Sequence, residues 1–456
     1  MGLKKLSKQE NVKMKILIFA FPRLASSLTL SFVGLILFFL YTSIYKVNPF
    51  FVGIALGMGF ISIAISQFVL GWVSDAKYTK LGRRKPYIIV LAPILAFSFT
   101  CLLLPRLFLQ NTDEINLFIW LLIWDVIFEA SYGMTTPYQS WLAEQFNVKD
   151  RPKVSQYENI FNMLASGIIG VYSFVVLTKI KNEMLANPAS IPLDFFLPIL
   201  IIGIMTILFF YTCVFLLPTE PKFKIESNLV QNLKEILRNK NYIKAIFMIG
   251  FTSFTLVQIS NIMLNFIDKV VNISGIIQYA ISGSIIFAGT IILLHFWRRF
   301  INKKGKKQVL KYVFYFGIFS LPFTFVFPLI PSELIRLIIG TVFLICIVSI
   351  LSGWSLYPYI IYADLAEDGQ KRTGELKAGI YTGFPSIILN LIQSLGIMFL
   401  GYLLSLPDIL SLGYSIGYIL WGPLCSFTLL LAWIYTKKHV KLDFEWENQD
   451  PNLKTD

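Results

Sequence analysis

Long apolar runs recur along the whole chain, and they constrain its fold more than any other feature. Each run holds about 20 residues or more, enough for an α-helix to cross about 30 Å of hydrocarbon. The runs are continuously apolar and do not alternate with period two, so they indicate membrane-spanning helices and not barrel strands. Twelve runs are recognisable, with approximate bounds Lys15–Ser43, Asn48–Val73, Tyr87–Leu107, Ile115–Tyr138, Tyr157–Lys179, Leu193–Leu217, Ile243–Phe266, Gly275–Trp297, Val309–Ile330, Leu334–Ile361, Gly379–Leu404 and Leu410–Tyr435. We therefore predict an all-α membrane protein with twelve transmembrane helices.

The placement of charge agrees with this prediction. Only 14% of the 456 residues are charged, whereas 56% are hydrophobic. The net charge of +14 would suit a nucleic-acid partner, but the basic residues follow the positive-inside rule when both termini are cytoplasmic. All but seven of the 40 Lys and Arg residues then lie on the cytoplasmic side; the exceptions are Arg23 within a helix and, outside, Lys46, Arg106, Lys179, Lys181, Lys269 and Arg336. We expect a cell-membrane protein with cytoplasmic N- and C-termini and no nucleic-acid partner.

A polar segment, Thr219–Tyr242, divides the chain near its midpoint into six helices and six. Its leucine and isoleucine residues Leu229, Leu233, Ile236 and Leu237 are spaced for one helical face, which predicts a short interfacial amphipathic helix. A protein-binding face is the alternative. The predicted organisation is an N-terminal bundle over 1–217, a cytoplasmic linker over 218–242, a C-terminal bundle over 243–436 and a cytoplasmic tail over 437–456.

Two landmarks indicate that the bundles are internal repeats. Gly82–Lys85 after the second helix corresponds to Gly305–Lys307 after the eighth, at an offset of about 223 residues. Pro137–Glu144 after the fourth helix is echoed by Pro358–Glu367 after the tenth, at an offset of about 221. Parallel six-helix repeats are typical of transporters whose substrate site lies between the repeats near the membrane midplane.

The loop segment Gly71–Pro86 between helices two and three is the most specific motif. A glycine permits close approach of a neighbouring helix, and Asp75 can accept hydrogen bonds from Arg83 or Arg84. An ordinary positive-inside loop with a turn at Gly82 is the alternative. The predicted conformational latch consists of Gly71, Asp75, Gly82, Arg83, Arg84 and, in the second half, Asp364.

This segment resembles the second-loop signature of the major facilitator superfamily, in the extended form of the glycoside-pentoside-hexuronide:cation symporters, the family of melibiose permease. Two further stretches resemble the same family: Pro137–Glu144 with Asp150, Arg151 and Tyr157, and Ala363-Asp364 with Thr373-Gly374 and Gly379–Tyr381. The likeness extends from the second helix to the eleventh. It implies two six-helix pseudo-repeats and alternating-access transport of a glycoside or another polyhydroxylated solute.

The resemblance also implies a divergent cation site. The family's cation-coordinating acids fall at Ile63 and Gln67, which cannot act as anionic ligands. Its sugar-binding acids fall at Ser27 and Thr135, and the lysine of its eleventh helix falls at Asn390. A sodium site of the family's type is therefore not expected, and the chain would couple through another arrangement or none.

Three charged residues within the predicted helices are candidates for that arrangement: Arg23, Asp125 and Glu129. Asp125 and Glu129 share a helical face, while Arg23 and Glu129 each lie about 13 Å from the inner ends of their helices and can meet. Ionisable groups at this depth are costly and indicate function. We interpret Glu129 as a proton carrier and Asp125 as a substrate acceptor or second site. The alternatives are a structural Arg23–Glu129 pair and an Arg23 side chain that reaches the interface.

Neutral polar and aromatic side chains complete the candidate substrate site. Gln258 and Asn261 lie on one face of helix seven, where amides can bind sugar hydroxyls or join neighbouring helices. Aromatic rings can stack on a sugar or simply pack. The predicted substrate and coupling residues are Arg23, Ser27, Gln67, Asp125, Glu129, Tyr132, Gln258, Asn261, Trp354 and Asn390.

Motifs of other activities are missing from the sequence. No P-loop, G-x-S-x-G or H-E-x-x-H motif is found, so we expect no enzymatic activity, no cofactor and no metal site. The predicted function is secondary transport of a sugar or glycoside, with H+ favoured over Na+ as the coupling ion. A lysophospholipid carrier, a facilitative uniporter and a non-transporting membrane sensor or assembly factor are the alternatives. A monomer would suffice for such a mechanism.

Overall fold

The computed structural model describes residues 8–109, 112–147, 150–188, 190–220, 237–272, 276–373 and 378–442. In the first half the helices are α1 (Lys8–Phe32), α2 (Pro49–Ala76), α3 (Lys85–Leu103), α4 (Glu114–Tyr132), α5 (Thr135–Gln145), α6 (Arg151–Val175), α7 (Lys181–Ala186) and α8 (Leu193–Leu216). In the second half they are α9 (Lys240–Phe266), α10 (Ile276–Lys304), α11 (Lys306–Ser320), α12 (Glu333–Ser355), α13 (Tyr357–Thr373), α14 (Ala378–Leu404) and α15 (Gly417–His439).

These helices account for the twelve predicted spans. Eleven segments of the described chain are long and apolar enough to cross a membrane, and the 29-residue helix α10 occupies the remaining predicted position. Short π-helical turns prolong three of the spans: Val33–Leu37 and Leu40–Ile44 follow α1, Val176–Ile180 follows α6, and Ile267–Val271 follows α9. The fold is therefore built from helices, as predicted.

Local sequence determines where several helices begin. The side chain of Asn48 accepts a hydrogen bond from the Phe50 amide at the start of α2, and Asp113 does the same for the Asn116 amide at the start of α4. Such side chains satisfy backbone N–H groups that lack a partner in the first helical turn.

Several predicted spans differ from the observed helices. The twelfth begins at Gly417 and not at Leu410, because Asp408–Ile409 and Tyr414–Ser415 form a short antiparallel hairpin. The ninth leaves the α-helical conformation after Ser320 and continues as 3-10 turns, each of which contains a proline that cannot donate to the helix. The tenth is interrupted at Leu356, between α12 and α13, two residues before Pro358.

The chain divides into two compact units, Met1–Glu226 and Ser227–Asp456. In the first unit, α1 packs on α6 and α8, α2 packs on α4, and α3 packs on α4 and α8. In the second unit, α9 packs on α14 and α15, α10 packs on α12, and α11 packs on α12 and α15. The predicted amphipathic helix of the linker lies outside the described residues, apart from Leu237.

Candidate functional site

Two parallel helices of the first unit, α1 and α6, share a line of polar contacts. The Ser27 hydroxyl donates to Asn162 Oδ1 at 2.7 Å, and one turn further along, the Ser31 and Ser166 hydroxyls lie 3.2 Å apart. Both pairs are separated by 135 residues in sequence, so the helices run parallel in constant register. Polar atoms thus face one another over successive turns.

The same register brings Arg23 opposite Glu158, one turn towards the start of both helices. The charge of Arg23 acts on the Glu158 carboxyl, which also accepts hydrogen bonds from Tyr138 Oη at 3.0 Å and from Gln139 Nε2 at 3.1 Å. Tyr138 Oη also contacts the carbonyl oxygen of Phe19. Only 6% of Glu158 is exposed. We call the set Arg23, Ser27, Ser31, Glu158, Asn162 and Ser166 the α1–α6 seam.

The carboxylate beside Arg23 is therefore Glu158, whereas the depth of Arg23 in its helix predicts Glu129. The charge of Arg23 acts on Glu158 and on Tyr138, whereas the charge acting on Asp125 is that of Glu129. Sequence reasoning missed Glu158 and Asn162, although both fall near the start of a predicted span at a spacing of four. A carboxylate and an amide at helical spacing in an apolar run is the signal that could have found them.

Asp125 and Glu129 lie together on α4 and face α2. The helices keep a constant register, because the hydroxyl of Ser62 donates to the Val126 carbonyl at 2.9 Å and that of Ser66 to the Ala130 carbonyl at 2.5 Å. Gln67, which follows Ser66, is half-buried, and Tyr132 is buried against the ring of Phe128. Across the described residues, no group of three or more His, Cys, Asp or Glu side chains could hold a metal ion.

The predicted amides of the second unit bond to their own helix. Gln258 Nε2 donates to the Phe254 carbonyl at 3.0 Å, and Asn261 Nδ2 donates to the Val257 carbonyl at 2.8 Å. Both side chains are buried, and Gln258 Oε1 has no hydrogen-bond partner among the described residues. A buried acceptor without a donor is free to receive a hydrogen bond from a hydroxylated ligand.

Asn390 on α14 does not lie at the level of these amides. A Cβ placed on Gly250 would contact the Ile392 side chain, and one on Gly396 would lie 2.7 Å from the Phe254 carbonyl oxygen. These two contacts give α9 and α14 a parallel register in which Asn390 is level with Met248. Gln258 is ten residues further along α9, or about 15 Å at 1.5 Å per residue. Asn390 and Gln258 therefore face different depths of the second unit.

Trp354 belongs to an aromatic cluster of the second unit. Its ring stacks on Tyr357 with centroids 6.1 Å apart and meets the edge of Phe314 at 6.0 Å. Only 5% of Trp354 is exposed, and Tyr357 Oη donates to the Lys306 carbonyl at 3.0 Å. The Trp354 ring is thus packed against its aromatic neighbours.

The predicted latch residues of the first unit gather around the Arg84 guanidinium. Arg84 Nη2 lies 2.5 Å from Asp75 Oδ1 and 2.8 Å from Glu144 Oε1, so Arg84 makes ion pairs with both acids. Burial lowers the pKa of Arg84, but the hydrogen bond to Glu144 and the charge of Asp75 outweigh it, and the pKa is raised overall. Gly71 allows α5 to approach closely, since a Cβ there would lie 3.2 Å from Thr136 Cγ2.

Glu220, the last described residue of the first unit, completes this cluster. Its Oε1 accepts a hydrogen bond from the Arg84 amide at 3.0 Å and another from the Arg83 amide, at the N-terminus of α3. Gly82 has φ +94°, and a Cβ there would lie 2.6 Å from the same oxygen. A glycine is required on both counts. The carboxylate therefore satisfies backbone donors and meets the positive end of the helix dipole.

The second unit contains an ion pair at the corresponding loop. Lys306 Nζ lies 2.6 Å from Asp364 Oδ2. Lys306 follows Gly305 as Arg83 follows Gly82, and Asp364 follows the tenth span much as Glu144 follows the fourth. The ion pair is more exposed, at 15% and 21% of the two side chains, against 4% and 9% for Arg84 and Glu144. Both repeats thus join a basic loop to an acidic helix end.

A model of the family described as MFS/sugar transport protein matches residues 18–432. Among curated proteins, sodium-dependent lysophosphatidylcholine symporter 1 of Xenopus tropicalis is 23% identical over 359 residues, which cover 70% of this chain. The matched part spans 65% of that relative, slightly less than two thirds of its length.

Solved structures of other membrane transporters have the same fold. A bacterial homologue of the human lysosomal transporter Spinster superposes with a TM-score of 0.65 at 14% identity, covering 95% of this chain and 97% of that one. The xylose transporter XylE from E. coli, in its inward-open conformation, gives 0.62 at 14% identity, covering 94% and 96%. The predicted twelve-helix major facilitator fold is thereby confirmed.

Proposed function

Because the chain belongs to the MFS/sugar transport protein family, we propose that this multi-pass membrane protein is a secondary transporter that moves a small organic solute by alternating access. Its termini would be cytoplasmic in the cell membrane, since that orientation puts most basic residues inside. A non-transporting sensor or assembly factor is disfavoured because the latch clusters at Arg84 and Lys306 are repeated in both halves, as a moving carrier requires.

Within the superfamily, we propose a divergent relationship to the glycoside-pentoside-hexuronide:cation symporters. The support is the loop Gly71–Pro86 and the segment Pro137–Glu144, together with Ile63 and Gln67 at the positions of that family's cation ligands. A carrier with this pattern would not hold sodium as that family does.

The α1–α6 seam is the observation that supports a polyhydroxylated substrate, a sugar or glycoside. It offers an amide, three hydroxyls and an oppositely charged pair along three consecutive turns. Sugar hydroxyls both donate and accept, so they can exchange with hydrogen bonds such as Ser27–Asn162 at little net cost. Ser27 is also the position at which the resemblance places a sugar-binding acid.

A lysophospholipid is the second candidate, and one observation favours it. The seam includes the oppositely charged side chains Arg23 and Glu158, both of which a zwitterionic headgroup would satisfy. The similarity to a lysophosphatidylcholine symporter agrees with this reading.

Transport by purified protein in proteoliposomes tests these proposals. The probes are radiolabelled pentoses, hexoses and disaccharides, and a labelled lysophosphatidylcholine. Asn162→Ala should raise the half-saturation constant about threefold to tenfold, because it removes about one hydrogen bond from the substrate site. Thr29→Ala is the matched control, since the Thr29 hydroxyl donates only to the Ser26 carbonyl of its own helix.

The possible results separate the candidates. Saturable sugar flux that Asn162→Ala weakens and Thr29→Ala does not would support the leading proposal. Flux of the lysolipid alone would move the assignment to the second candidate. A protein that moves none of the probes, or a seam variant indistinguishable from Thr29→Ala, would overturn the role of the seam.

A further inference from the structure

Asp125 and Glu129 form a pair of carboxylates deep inside the first unit. They lie one turn apart on the same face of α4, and only 1% and 7% of the two residues is exposed. Asp125 is eleven residues from the outer end of α4, which corresponds to a depth of about 16 Å.

The backbone of α2 makes room for both carboxylates at Gly59. A Cβ placed on Gly59 would overlap Asp125 Oδ2 and would lie 3.2 Å from Glu129 Cγ. The Ser62 and Ser66 hydrogen bonds to α4 hold this register one and two turns away. Any side chain larger than hydrogen at position 59 would therefore displace the acids or separate the helices.

Among the residues that the structure describes, no positive charge acts on either carboxyl. Tyr41, beyond α1, is the ionisable neighbour on which Asp125 acts, but its hydroxyl donates to the Leu102 carbonyl at 2.9 Å. Cys101 on α3 adds a buried thiol beside Tyr41, and α2 contributes only Gly59 and serines. Glu129 is the charge that acts on Asp125, while Arg23 acts on Glu158.

One oxygen of the pair also lacks a hydrogen-bond partner. Asp125 Oδ1 is buried and receives no hydrogen bond in the described structure. Two neighbouring carboxylates in apolar surroundings repel one another, and an unpaired buried charge is costly. A monovalent cation removes both penalties, and a proton does so with the fewest ligands, because it needs only one oxygen from each acid.

We propose that Asp125 and Glu129 form a proton-binding site in which one proton is shared between the two carboxyls. One carboxylate takes up H+ to become a carboxylic acid that donates to the other, and the reverse step returns the proton. The site is separate from the α1–α6 seam. Its role in coupling rests on the proposed transport function: in a transporter, the site would couple solute movement to a proton gradient.

Infrared difference spectroscopy of the purified, reconstituted protein tests the site without a transported solute. The C=O stretch of a buried carboxylic acid should be present at neutral pH and should disappear as the pH is raised. Asp125→Asn and Glu129→Gln should each shift the frequency of this band, because the remaining buried acid no longer has a carboxylate with which to share the proton, and the double variant should remove the band. Glu158→Gln, which changes an equally buried acid beside Arg23, should leave the band in place.

Two results would overturn the proposal. Wild-type protein without a protonated carboxyl at neutral pH would refute it even if the variants failed to fold. A band that NaCl removes at constant pH, and choline chloride does not, would assign the site to sodium.

Coupling is then measured with whichever solute the protein transports. A proton gradient should concentrate that solute in wild-type vesicles, whereas Glu129→Gln should reach only equal concentrations inside and outside while solute exchange continues. Accumulation that survives Glu129→Gln would refute coupling at this site. A wild-type protein that moves no solute would instead refute the proposed transport function and leave the infrared result standing.

Discussion

Removing Arg84 should destabilise the first unit far more than removing Lys306, in the corresponding loop, destabilises the second. Arg84→Met keeps most of the side-chain volume but leaves Glu144, 9% exposed, with an uncompensated charge. Breaking a buried ion pair from one side costs about 3–5 kcal/mol. Asp75 adds little, because at 40% exposure its interaction is screened by water.

Lys306→Met breaks a pair whose side chains are 15% and 21% exposed, so solvent can rehydrate Asp364. We expect a cost of about 1 kcal/mol. For units of this size, 1 kcal/mol lowers Tm by about 2–4 °C. Arg84→Met should therefore lower Tm by about 6 °C or more, and Lys306→Met by about 2–4 °C.

The cysteines provide a readout for each unit. Cys101 and Cys213 are buried in the first unit, and Cys346 and Cys425 lie in the second. A fluorogenic maleimide reacts with the buried thiols Cys101, Cys213 and Cys425 only when the surrounding helices open, and the partly exposed Cys346 is replaced by alanine in every protein. Replacing the cysteines of one unit by alanine makes the fluorescence signal specific for the other unit. All proteins are heated at the same rate, because the unfolding of membrane proteins is often irreversible. Equal shifts in the two units, or an Arg84→Met protein as stable as wild type, would refute the reasoning.

Three further predictions use the same protein. Glu220→Ala should lower the stability of the first unit by about 1–3 kcal/mol. Glu220→Gln should cost less, because it keeps an acceptor for the Arg83 and Arg84 amides. Equal costs of the two variants in the thermal assay would argue against the capping role. Gln258→Leu should raise the stability of the second unit by about 1 kcal/mol, because it removes an acceptor without a partner, and should weaken transport if that oxygen binds solute. A double-mutant cycle between Ser27→Ala and Asn162→Ala should give a coupling energy of about 0.5–1.5 kcal/mol in thermal unfolding, and strictly additive effects would contradict the 2.7 Å hydrogen bond.

The sequence was sufficient for the spans and for the repeat. Whether a segment enters a membrane depends on the summed transfer free energy of its own residues, so the twelve apolar runs could be located without their neighbours. The two repeats could be aligned because similar motifs recur at a nearly constant offset. These motifs are the basic loops after Gly82 and Gly305 and the acids after the fourth and tenth helices. Their ion pairs connect segments whose order in the fold is the same in both halves.

Helix interruptions were partly predictable. The prolines after Ser320 and Leu356 are visible in the sequence, and each removes a backbone donor from the helix it would continue. The hairpin before Gly417 was not predicted, because its apolar residues resemble the helix that follows.

Partners of buried charges were decided by the tertiary structure alone. Residue number along a helix determines depth, which is why Arg23 and Glu129 can be placed at the same level, but it does not determine which neighbouring helix a face meets. Because α1 packs against α6, the charge of Arg23 acts on Glu158, and the hydroxyl of Ser27 reaches Asn162. Glu220 reaches the Arg84 amide across 136 residues for the same reason. Depth is a local property of one helix, whereas contact depends on the packing of several, and only the folded chain supplies it.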